Sequence, residues 1–232
     1  MEQIAFFWVG ENIDIPSFLV KSTRLVYGKN VKIIQLSDKS TSRINGIDQI
    51  IRSEITNNMM VDRVNSYSVV ETFTNRTLFV DADSIVLNKL NLDKYSDGIH
   101  IIKRRADFKI NYNFPEYYPE FVNKNFCEVM PFLFGAIVIN KNDNFFLELL
   151  AILKKLPSRL HRWYGDQYSL KKLYDVNPNK FQFIKNDFLY IVELDVIKEK
   201  KYLTLNKSMK LLTFKGSTKQ CMGPIFNTFF NT

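Results

Sequence analysis

Glycine is scarce in this chain, eight in 232 residues, and no glycine-rich loop follows the first apolar run. P-loops and dinucleotide-binding turns both need closely spaced glycines to bring backbone amides onto phosphate, so neither is expected. Cysteine is scarcer: Cys127 and Cys221 are too few for a disulfide framework, and a reducing compartment is the simpler setting. The two histidines, His100 and His161, stand in no ligand-like cluster and read as structural or surface residues. No apolar segment approaches the ~20 residues that span a bilayer. The stretch from Met1 to Val9 also lacks the basic start and cleavage site of a secretory signal. A cytoplasmic protein is expected, with peripheral contact to an anionic membrane left open.

What is present is a globular composition with 46% hydrophobic residues. Lys and Arg outnumber Asp and Glu by 32 to 24, which gives a net charge of +8 and favours acidic partners. The basic residues are scattered, and even the densest group, Lys103-Arg104-Arg105, is no nucleic-acid arm. Phosphorylated small molecules are the better match, and nucleic acid is not an expected partner.

The chain opens with a strand from Ile4 to Val9 and a helix that Pro16 starts and Gly28 closes, with Phe18, Leu19, Ser22, Leu25 and Val26 on one side. A second strand, Val31 to Leu36, ends in Ser37-Asp38, and this order opens a mononucleotide-binding α/β half. Gln49 to Arg52 reads as a short strand. A helix over about Asn57–Phe73 should carry Met60, Val64, Tyr67, Val69 and Val70 inward, with Arg63 near its start. Arg104 to Asn125 is irregular and rich in Asn, Pro and Tyr, as functional excursions often are. Later strands are expected at Gly98–Lys103, Gly135–Asn140, Phe181–Ile184, Phe188–Val192 and Lys210–Phe214. Helices are expected at about Asp143–Lys155 and behind Trp163-Tyr164-Gly165-Asp166-Gln167, where Asp166 reads locally as a cap. Lys215-Gly216-Ser217-Thr218-Lys219 then forms a basic flap suited to an anion.

The stretch that organises these pieces is Arg76 to Leu90. Leu78-Phe79-Val80 is a short apolar run of the kind buried on both faces of a mostly parallel sheet. It ends in Asp81-Ala82-Asp83, whose carboxylates point together if the backbone stays extended. Two like charges that close call for a cation, and hard oxygen ligands suit Mg2+ or Mn2+ bridging to a substrate phosphate.

Taken in order, Val9 to Asn12, Arg63, Asp-x-Asp, the Gly135 strand, Gly-Asp-Gln and Lys-Gly-x-x-Lys resemble the GT-A fold of sugar-nucleotide glycosyltransferases, particularly the family 8 type. The resemblance implies an α/β, Rossmann-like fold of mostly parallel sheet flanked by helices. It also implies a single domain over 1–232, with a nucleotide-binding half at about 1–105 and an acceptor half at about 106–222. It implies that Asp81 and Asp83 hold Mn2+ or Mg2+ on the diphosphate of a UDP- or GDP-sugar, with a glycan or other hydroxyl acceptor. Val9, Gly10, Asn12, Asp38, Arg63, Asp81, Ala82, Lys215, Gly216 and Lys219 would contact the nucleotide sugar, with Asp166 and Gln167 beside the reacting sugar. Two positions depart from the pattern: Thr213 stands where a metal-ligating histidine is usual, and Leu133 where an asparagine is usual.

Two other readings use the same residues. A phosphatase of the haloacid dehalogenase type also places Asp-x-Asp after an apolar strand, but early in the chain and with a later acid pair. A non-catalytic basic module would instead stack glycan or nucleic acid on Tyr112, Phe114, Tyr117 and Tyr118.

Overall fold

The computed structural model describes residues 2–105, 107, 109–110, 118–142, 144–185, 188–200, 202 and 209–230. Tyr112, Phe114 and Tyr117 lie outside the described residues.

In chain order the elements are β1 (Glu2–Phe7), α1 (Asp14–Tyr27), β2 (Lys32–Ser37), β3 (Gln49–Arg52), α2 (Met59–Ser68), β4 (Arg76–Val80), β5 (Ser84–Val86) and β6 (Gly98–Lys103). There follow α3 (Phe126–Val129), β7 (Phe132–Asn140), α4 (Phe145–Leu153), α5 (Ser158–Arg162), α6 (Gly165–Val176), β8 (Phe181–Phe183), β9 (Leu189–Val192), α7 (Leu194–Lys198), β10 (Leu211–Phe214) and α8 (Met222–Phe230).

Seven strands form one sheet in the order β3-β2-β1-β4-β7-β6-β8, with β4 at its centre. β7 runs against β4 and β6, while the other pairings are parallel. The expected fold class is therefore present. The apolar end of β4 is covered on both faces: Phe79 packs with Tyr67, Phe146 and Leu149 on one, and Leu78 and Val80 pack with Leu19 and Val20 on the other. Both faces are covered, so the strand end is fixed from either side.

Behind Val80 the chain leaves the large sheet. The sequence places extended chain over Ser84 to Leu87; β5 covers Ser84–Val86 of it, in a second sheet ordered β5-β10-β9. Its apolar face, Ile85, Leu212 and Phe214, closes on Met222, Ile225 and Phe226 of α8, a helix that the sequence reading did not anticipate. Phe226 in turn meets Phe18 of α1 at 5.4 Å between ring centroids.

Two inward assignments and one outward one need correction. Leu25 is 56% exposed and Val69 58% exposed. The buried face of α1 runs through Leu19, Val20, Thr23 and Tyr27, which leaves Leu25 outside. α2 ends at Ser68, and a turn in which the Val70 amide donates to the Tyr67 carbonyl at 3.2 Å sends Val70 inward and Val69 out. Tyr118 is buried beside Phe121 rather than offered for stacking, which removes one platform from the non-catalytic reading. Among the described residues no helix is long and apolar enough to cross a membrane.

Candidate active site

The Asp-x-Asp segment is where the chain passes from one sheet to the other. The Asp81 amide still donates to Gly135 of β7 at 3.0 Å, and the Asp83 carbonyl already accepts from the Phe214 amide of β10 at 2.9 Å. Between them Ala82 is buried in the core, so its methyl group anchors the crossing. The carboxylates converge because this crossing is a bend rather than continued strand. Lys215 Nζ donates to Asp81 Oδ2 and, at 3.0 Å, to Asp83 Oδ1. Lys219 Nζ lies 2.9 Å from Asp83 Oδ2, and the Thr213 hydroxyl is 3.5 Å from Asp83 Oδ1.

On the inner side stands Arg63 of α2. Asp62 fixes the start of that helix by accepting from the Thr56 amide and hydroxyl, the latter at 2.8 Å. Arg63 Nη1 donates to Asp81 Oδ1 at 2.9 Å, Nη2 pairs with Asp166 Oδ2, and the guanidinium lies 4.7 Å from the Phe134 ring centre. Asp166 is fully buried, and its other oxygen accepts from the Gln167 amide at 2.7 Å. It is therefore an inward ion-pair partner and not the N-terminal cap that its position in the first turn of α6 suggests. Gly165 permits this: a Cβ there would stand 2.1 Å from the Leu160 carbonyl oxygen, so only glycine lets α6 begin this close to α5.

The result is an alternating row of charge, Asp166, Arg63, Asp81, Lys215, Asp83, Lys219, with three members of each sign. The three carboxylates and Arg63 are largely buried, with Asp166 at 0% and Arg63 at 16% side-chain exposure, whereas Lys215 at 47% and Lys219 at 33% face solvent. Burial by itself would raise the Asp81 carboxyl, but the Lys215 and Arg63 cations beside it hold it at about 2. Desolvation works against the Lys215 ammonium, and Asp81 and Asp83 outweigh it and raise its pKa.

The residues expected at the nucleoside sit at the same edge of the sheet, on the loops after β1 and β2. Gly10 has a φ of 133°, and its amide donates to the Thr41 hydroxyl at 2.8 Å. Asp38 shapes the facing loop: bonds from Ser40 and Thr41 hold its carboxyl at about 2. The Asn12 side chain accepts from the Asp14 amide at 2.9 Å, its carbonyl accepts from Trp8 Nε1 at 2.9 Å, and Val9 packs on the core. Gly216, with φ 54°, opens the short 3-10 turn that carries Lys219.

Six of the expected residues are thus joined directly: Arg63, Asp81, Asp83, Asp166, Lys215 and Lys219. Gln167 is not among them, since its side chain accepts from Arg104, whose own Nε donates to the Met130 carbonyl at 2.9 Å. Thr41, Arg104 and Phe134 were not anticipated. Their partners lie far off in sequence, as Thr41 lies 31 residues from Gly10 and Arg104 lies 63 from Gln167. A small residue such as Gly135 at a strand start suits close approach by a ligand or another backbone, but the group that approaches is the Asp81 side chain: a Cβ at 135 would lie 2.8 Å from Asp81 Oδ2. Asp81 is clamped by Arg63 and Lys215, so Gly135→Ala should lower unfolding free energy by about 1–3 kcal/mol. Urea denaturation checks this, and an unchanged midpoint would show that Asp81 is free to yield.

No sequence profile of a known family matches the chain, and no curated protein matches it by sequence. Solved structures do. A galactosyltransferase, LgtC, in complex with donor and acceptor sugar analogues aligns at a TM-score of 0.59 and 11% identity, over 97% of this chain and 95% of that one. An active-site mutant of LgtC aligns at 0.58 and 11% identity, over 92% and 87%. The bifunctional glycosyltransferase WbbM aligns at 0.53 and 16% identity; the match takes in 92% of this chain but 45% of WbbM. The architecture is the GT-A fold, the class expected from the order of the motifs. Within it, the LgtC structure is matched along nearly its whole length.

Proposed function

We propose that this chain is a glycosyltransferase that moves a sugar from a nucleoside diphosphate, with UDP favoured, to a hydroxyl of a glycan or similar acceptor. The observation that carries the reading is the convergence of Asp81, Asp83, Lys215 and Lys219 at the C-terminal end of the central strand of a GT-A fold. Open α/β sheets bind ligands at that edge. The likeness to LgtC, whose structure holds donor and acceptor sugar analogues, supports the same substrate classes here.

The residues suit a divalent ion, Mn2+ or Mg2+. Their donors are hard oxygens, and the ammonium of Lys215 already bridges the two carboxylates as a tethered cation. Among the described residues no cluster of three or more His, Cys, Asp or Glu is placed to hold a metal, so donor phosphates would complete the shell. When bound, such an ion stabilises negative charge on the departing diphosphate as a Lewis acid. Lys219 would neutralise the same charge from the solvent side, more in the transition state than in the ground state. Arg63 would hold Asp81 in place and face the donor. Asp166 has both oxygens engaged, so it would act beside the reacting sugar through Arg63, with Gln167 held ready by Arg104. Val9, Gly10, Asn12 and Asp38 would line the nucleoside.

The test is a scan of UDP- and GDP-sugars for release of nucleoside diphosphate, with Mn2+ and with EDTA. One donor class should be turned over, and EDTA should stop it. Failure of every sugar nucleotide to bind in the presence of Mn2+ would overturn the reading.

A further inference from the structure

The charged row is neutral as it stands, and that balance decides what can enter it. Asp81 and Asp83 are the carboxylates that would hold a divalent ion, and Asp81 Oδ2 and Asp83 Oδ1 are their facing oxygens. Those are the oxygens that Lys215 Nζ already holds, so ion and ammonium compete for one position. Lys219 contacts Asp83 through Oδ2 and need not leave.

We propose that Lys215 is a built-in occupant of the cation position between Asp81 and Asp83, so that a divalent ion binds more tightly together with a diphosphate that receives the displaced ammonium than it does alone. The inference rests on the metal-dependent reading above and adds a coupling to it. Adding the ion alone would place two surplus positive charges next to Arg63, Lys215 and Lys219. Adding a diphosphate alone would set its charges against Asp81 and Asp83. Adding both restores neutrality when the diphosphate is esterified at both ends, as in a nucleotide sugar, and comes within one charge of it for UDP or GDP, with Lys215 turned from carboxylate to phosphate.

The parts that must move are free to do so. The Lys215 backbone is pinned, its amide donating to the Thr218 hydroxyl at 2.9 Å and its carbonyl accepting from the Thr218 amide at 3.1 Å. Its side chain is 47% exposed and ends a flexible four-carbon stem, so the exchange needs rotamer changes alone. Arg63, at 16% exposure and paired on both sides, stays and keeps Asp81 aimed.

The experiment measures free Mn2+ by electron paramagnetic resonance during titration of the full chain, with and without UDP or GDP. Wild type is compared with Lys215→Met, and with Lys215→Gln should the first fold poorly. If Lys215 is seated roughly nine-tenths of the time, apparent Mn2+ affinity without nucleotide is about tenfold weaker in wild type than in the variant. The enhancement by UDP should shrink in the variant. Equal Mn2+ affinity of the two chains without nucleotide would overturn the coupling while leaving the metal-dependent reading standing. Absence of Mn2+ uptake by either chain, with or without nucleotide, would overturn both.

Discussion

Replacing Asp83 with alanine is expected to reduce metal-dependent turnover of the sugar nucleotide by at least about a thousandfold. The substitution removes one of two carboxylates and leaves Lys219 without its partner, while Lys215 keeps Asp81. Stability should change little, by about 1 kcal/mol, because the two lysines are substantially exposed and their ion pairs are screened by water. The structural contact of Asp83 with β10 runs through its carbonyl, which alanine retains. The informative result is therefore the pairing of a lost activity with a preserved urea midpoint. Turnover within tenfold of wild type in the presence of Mn2+ would remove Asp83 from the chemistry.

At the inner end of the row the balance reverses. Asp166→Ala takes a fully buried carboxylate away from Arg63, whose side chain is only 16% exposed. Breaking a buried ion pair from one side costs about 3 kcal/mol or more, because the remaining charge stays desolvated. Arg63 keeps Asp81, which places the expected loss at the lower end of that range. The double substitution Arg63→Met with Asp166→Leu removes both charges from this site and should unfold at higher urea than Asp166→Ala alone. Turnover should remain low in both, since Asp81 has lost its inner partner in the one and that partner's anchor in the other. A double variant as unstable as the two single losses added together would show that packing, not charge, sets the stability here.

Much of this was legible from local pattern. The burial of Leu78-Phe79-Val80 on both faces, the position of Arg63 one helix earlier and the order of the six motifs all follow from short-range spacing, and the sheet order agrees with them. What was not legible depends on pairings across long stretches of chain. Lys215 was expected at the diphosphate, but it meets Asp81 across 134 residues, and nothing near it in the chain marks that pairing. Asp166 looks like a cap because acidic residues are ordinary in a first turn; only the contact of Gly165 with the Leu160 carbonyl turns it inward. Leu25 and Val69 were misplaced because apolar spacing gives a face but not its rotation or end point.

The crossing at Ala82 gives the twin acids separate foundations. Asp81 is riveted to β7 through its amide, and Asp83 to β10 through its carbonyl. The two jaws of this clasp therefore ride on different frames, and the gap between them is set wherever those frames meet. The outer jaw, with both lysines, leans on α8 and through Phe226 on Phe18 of α1. A small tilt at that distant aromatic contact would reach the acids as a change in bite, without any residue near them being altered.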